Sequence, residues 1–84
     1  MIQIVVAVRD AKADAFGRPF FVPTVGLGVR SFQDEVNRAS EDNPFYRHPE
    51  DFALYELGTY DDETATLSSH DVPKLLIQAD QVKK

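Results

Sequence analysis

Hydrophobic and polar positions divide this chain into short segments of different period. Ile2–Val8 (IQIVVAV) is apolar on both faces, rich in β-branched side chains, and stopped by Arg9-Asp10. That pattern predicts a central strand. Phe20–Val22 predicts a second, short strand closed by Pro23 and spaced to pair antiparallel with the first. The intervening Arg9–Pro19 reads as a connection, with a helical turn over Ala11–Ala15 that Phe16-Gly17-Arg18-Pro19 ends. From Thr24 the period changes. Val25, Val29, Phe32 and Val36 form a single helical stripe, predicting a helix over Thr24–Ala39. Gly26 and Gly28 oppose it, each costing about 1 kcal/mol against Ala. Val25, Leu27 and Val29 also alternate like a strand, so Val25–Ser31 reads as helix or as extended chain. Thr24 and Ser31 are the two candidate caps.

Ser40–Asn43 breaks the helix, and Pro44–Tyr46 reads as a loop carrying two aromatics. His48–Phe52 has the look of a single turn, with Pro49 at its first position and acids behind it. Ala53–Asp61 follows as a strand. Strict alternation sets Leu54, Glu56, Gly58 and Tyr60 on one face and Ala53, Tyr55, Leu57 and Thr59 on the other. Asp61–Thr64 is a turn, Ala65–Ser68 the return strand of a hairpin, and Lys74–Ala79 a last strand. Residues 79–84 are expected to fray. The sum is one α+β domain spanning residues 1–84, a small antiparallel sheet of about four strands with one main helix on one face. Phe32, Val36, Phe52, Leu57 and either Leu54 or Tyr55 are the expected core.

Composition narrows the classes. There is no cysteine, hence no disulfide framework and no thiolate metal site. No apolar run approaches the ~20 residues of a membrane span. Met1–Val8 has no basic flank of the kind that precedes a signal sequence. A cytoplasmic setting follows as the expectation. The net charge of −5 is unlike that of a simple nucleic-acid binder. The charge is polarised, however: residues 1–40 carry a net +1 and residues 41–84 a net −6. A chain this short buries a small share of its surface, which favours a homo-oligomer.

Candidate chemistry is sparse. His48 and His70 have acids nearby, but their spacing matches no zinc pattern. A small metal-dependent hydrolase would need both histidines in one site. Ser68-Ser69-His70-Asp71 supplies nucleophile, base and acid types in a row, and sequence neighbours seldom assemble into such a site. Gly26-Leu27-Gly28 is too short for a phosphate loop. No catalytic residue, metal or cofactor is therefore expected. Arg9, Lys12, Arg18, Phe20, Phe21 and Arg30 combine cations with aromatic rings, the residue types that hold single-stranded nucleic acid. Glu41–Asp71 is an acidic run against Arg47 alone, with Phe45 and Tyr46 at its edge as candidate anchors for a protein partner.

The motifs Val8-Arg9-Asp10, Phe20-Phe21-Val22, Val29-Arg30-Ser31-Phe32 and His48-Pro49-Glu50-Asp51, the last continued by Leu54-Tyr55, Gly58 and Asp61, resemble one family. It is the small nonstructural protein, also called phage open-reading-frame-5 protein, of gokushovirus-type microviruses, which are single-stranded DNA bacteriophages. The resemblance covers Ile4 to Thr66, and the HPEDF–LYELG block carries it most specifically. It implies a non-enzymatic, non-virion accessory protein in the host cytoplasm that acts in viral DNA replication. The implied role is DNA binding or the switch to single-strand synthesis and packaging. The alternative is an adaptor that docks a host replication enzyme or a capsid protein through the acidic surface.

Overall fold

A computed structural model describes residues 1–84. Ile2–Asp10 is strand β1, and it is central as its two apolar faces predict. β2 (Ala15–Phe16) and β3 (Phe20–Val22) pair antiparallel with it on one side, and β4 (Phe52–Asp61) on the other. β5 (Thr66–Gln78) pairs with β4 and forms the outer edge. The fold is thus α+β with a small antiparallel sheet. No helix is long and apolar enough to cross a membrane.

The Arg9–Pro19 connection is a hairpin instead of a helical turn. Asp10 Oδ1 accepts from the backbone N–H groups of Lys12 and Ala13, at 2.9 and 3.3 Å. This local bond competes with helix. Asp14 then takes a positive φ of 53° to turn the chain into β2.

Helix α1 (Val25–Val36) settles the ambiguity at its start. Thr24 is the cap, its Oγ1 accepting from Leu27 N–H at 3.2 Å. Gly28 is present because α1 lies close to β3: a Cβ there would stand 3.2 Å from Val22 Cγ2. The next segment is more ordered than a loop. Asn43 is buried, donates from Nδ2 to Glu35 O (2.7 Å) and Arg38 O (2.9 Å), and accepts from Phe45 N–H at 3.1 Å. It thereby ends one helix and caps the next, the single turn α2 (Pro44–Arg47). A 3-10 turn over Pro49–Asp51 leads into β4.

Two strands expected near the end are one. Ala65 turns the hairpin with φ 58°, and β5 then runs unbroken in direction to Gln78. Its pairing jumps from Ser69 opposite Gly58 to Lys74 opposite Glu56, so His70–Pro73 forms a bulge. Ala79–Val82 forms a turn, α3, with Ala79 fully buried. Asn37 Nδ2 donates to Val82 O at 2.9 Å, and Asn37 Oδ1 accepts from Lys84 N–H at 2.7 Å.

The core joins Val6, Val22, Phe32, Val36, Phe52, Leu54 and Ala79. Phe45 and Val82 pack against it, so α1 shares the cover of the sheet with α2 and α3. Leu57 is absent from this cluster. It is the extra residue of a β-bulge, where Val5 pairs with Gly58 and Val6 with Glu56.

Candidate nucleic-acid interface

The Leu57 bulge decides what the second face of the sheet looks like. In β1, alternate residues Ile4, Val6 and Val8 point into the helix-covered core. Gln3, Val5, Ala7 and Arg9 therefore point to the opposite face. Residues directly opposite in an antiparallel pair share a face. Phe21 pairs with Val5 and Phe16 with Arg9. Tyr55 pairs with Ala7 and Tyr60 with Gln3. All four rings thus stand on the face that carries no helix. Strict alternation would have put Tyr55 and Tyr60 on opposite sides, and one inserted residue unites them.

The rings are organised in pairs. Phe21 and Tyr60 stack with centroids 5.3 Å apart and planes at 24°. Phe16 meets Tyr55 edge to face at 5.3 Å and 79°. Between them the small residues Val5, Ala7 and Gly58 form a floor, and all three are buried. Leu67, opposite Tyr60, and Leu75, opposite Tyr55, extend the same face toward β5. Phe21 is 50% exposed and Leu67 66%, so this is surface. A recess of about 230 Å³ opens beside Phe21, lined by Pro19, Leu57, Leu67 and Ser69 over Gly58.

The six residues singled out from the sequence divide between the two faces. Arg9 and Phe21 lie on the aromatic face, and Arg9 donates to Asp14 through Nη2. Arg18 is exposed in the connection between β2 and β3, next to Pro19 of the recess. Lys12 is exposed at the tip of the β1–β2 hairpin. Phe20 is half-buried against the core on the other face, because it is the register partner of Val6. Arg30 is exposed on α1, the helix that covers that same core face. Phe16, Tyr55 and Tyr60 join the set instead.

Phe45 is not a free anchor. Its ring lies 4.6 Å from Phe52 and 5.9 Å from Phe32, as a filler at the rim of the core. Tyr46 is half-buried with Lys83 Nζ 4.4 Å from its ring centre. The histidines go to different partners. His70 Nε2 lies 2.5 Å from Glu56 Oε2, and His48 Nδ1 lies 3.8 Å from Glu50 Oε1. His48, Glu50 and Asp51 bring ligand-type atoms within 4.8 Å of one another, with His48 and Glu50 exposed to water.

Residues 3–82 match the sequence family described as Phage ORF5 protein. The chain belongs to the Phage ORF5 protein family. No curated protein and no solved structure matches it. Membership makes this ORF5-family chain a phage accessory protein. The matched span takes in the aromatic face, the helical cover and the C-terminal turn alike.

Proposed function

We propose that this protein binds single-stranded DNA on its aromatic face, as a non-enzymatic accessory factor of a gokushovirus-like microvirus. The observation that carries the reading is the gathering of Phe16, Phe21, Tyr55 and Tyr60 on one helix-free face. Nucleic-acid bases have apolar flat faces and stack on such rings at about 1–3 kcal/mol each, with little regard for sequence. For the phosphates, Arg9 lies within the face and Arg18 immediately precedes Pro19 of the recess. Few cations and a net charge of −5 favour a mode in which stacking outweighs charge. In a duplex the base faces are covered by stacking on neighbouring base pairs, so duplex DNA is the poorer ligand. These features suit a protein acting in replication or in the switch to single-strand synthesis and packaging.

The test is a titration of fluorescent single-stranded and duplex DNA at low and moderate salt. Single strands should bind tighter, with a shallow loss of affinity as salt rises. The double variant Phe21→Ala/Tyr55→Ala should lose most of the affinity. Absence of binding at low salt, or an unimpaired double variant, would refute the reading.

A second reading is favoured by Phe16, Phe21, Leu67 and Leu75, which are exposed on one nearly uncharged face. A further copy of the chain covering that face would make a homo-oligomer, with the acidic surface left to dock a replication or capsid protein. Sedimentation that shows a dimer insensitive to single-stranded DNA, together with a protein captured without DNA, would favour it.

A further inference from the structure

We infer that the recess over Gly58 is a slot for one unpaired nucleobase. The inference rests on the DNA-binding reading and deepens it. Its floor is fixed by strand pairing. A Cβ on Gly58 would stand 2.0 Å from Ser68 O, so only glycine fits where β4 lies against the β5 backbone. The register that brings β4 and β5 this close is set by the bulges at Leu57 and His70–Pro73. One wall is Phe21, whose plane is held by its stack on Tyr60. The other walls are aliphatic: Leu67, Pro19 and Leu57.

The chemistry of the lining selects the ligand. None of the nine lining residues is charged. The inserted group must be neutral, flat and apolar on its faces. The polar side chains of the lining are Thr59, Ser68 and Ser69, and Ser69, the register partner of Gly58, stands on the same face as Phe21. A nucleobase suits such a lining: two π faces and a polar edge. The charged part of the ligand stays outside, next to Arg18, which immediately precedes Pro19 of the wall. At about 230 Å³ the recess takes one base and excludes a stack. One base of the strand is inserted while its neighbours lie across Tyr55 and Phe16.

The experiment compares oligothymidylate with a strand of equal length lacking all bases, using wild type, Ser69→Trp, Leu67→Ala and Tyr55→Ala. Ser69 and Leu67 are exposed, so both slot variants should melt as wild type does. Wild type should prefer oligothymidylate. Ser69→Trp fills the slot and Leu67→Ala removes a wall. Each should weaken oligothymidylate, the first about tenfold, the worth of one stacked base. Both should leave the weak binding of the baseless strand unchanged. Oligothymidylate affinity unaltered in Ser69→Trp and Leu67→Ala but lowered in Tyr55→Ala would overturn the slot and leave the aromatic face standing. Equal weakening of both strands would also overturn it. No binding of either strand by wild type at low salt would remove the DNA reading itself, and the slot with it.

Discussion

His70 Nε2 lies 2.5 Å from Glu56 Oε2, and this contact closes the four-residue bulge of β5 back onto the sheet. The Glu56 side chain is 11% exposed, so its carboxylate depends on that partner. His70→Ala leaves a nearly buried acid unpaired. The expected cost is about 1–3 kcal/mol. The bulge itself should loosen first. Hydrogen exchange at Asp71 and Val72 should accelerate in the variant by more than exchange in β1. Uniform acceleration would mean that the pair does not hold the bulge.

Gly58 and Gly26 should respond in opposite directions to alanine. At Gly58 the new methyl would collide with the β5 backbone, and overpacking of this kind costs about 1–3 kcal/mol or more. Around Gly26 the nearest atom to a Cβ is Thr24 Oγ1 at 3.9 Å. There the helix gains about 1 kcal/mol. Thermal melts of the two variants should therefore bracket wild type.

Asn43→Ala removes three hydrogen bonds at once, in a buried position that joins the end of α1 to the start of α2. A loss of about 2–3 kcal/mol is expected in urea unfolding. Asn43→Asp should cost about as much, because a carboxylate cannot donate to the carbonyls of Glu35 and Arg38.

Glu35 carries the acid sensitivity of this region. The Arg38 guanidinium donates to both of its carboxylate oxygens and holds its pKa below the ordinary 4.5, against a smaller opposing effect of burial. A depressed carboxylate stabilises the fold above its unfolded value, and the contribution disappears as pH falls through the folded one. The pair is largely exposed, so the effect is small, about 0.5 kcal/mol or less. Glu35→Gln should leave stability at pH 7 almost unchanged and flatten its decline below the ordinary carboxylate range. Urea midpoints measured across that range check the sign.

Much of this fold is written in short-range pattern. A β-branched run with two apolar faces gave β1, and the stripe Val25–Val36 with Thr24 before it gave α1. What could not be read depends on contacts distant in sequence. Nothing local announces that Leu57 is an extra residue, because a bulge is a property of the pairing between β1 and β4. That one insertion moves Gly58 and Tyr60 to the face of Tyr55. The same holds for β5, whose two apolar ends are joined through a bulge, and for Ala79, buried by packing against elements far upstream. Phe20 and Phe21 were legible as an alternating pair, though which of them stays outside was fixed only by the register with Val5 and Val6.

An open sheet edge is also a template on which further strands can grow, end to end, into fibrils. β5 offers such an edge over 13 residues. Its bulge, with Pro73 inside it, and the extra residue Leu76 divide that edge into short runs, the longest of them Thr66–Ser69. An incoming strand finds backbone partners on one run and loses them at the next. The protein can therefore leave aromatic rings in water while its backbone resists recruiting other chains into a continuous ribbon.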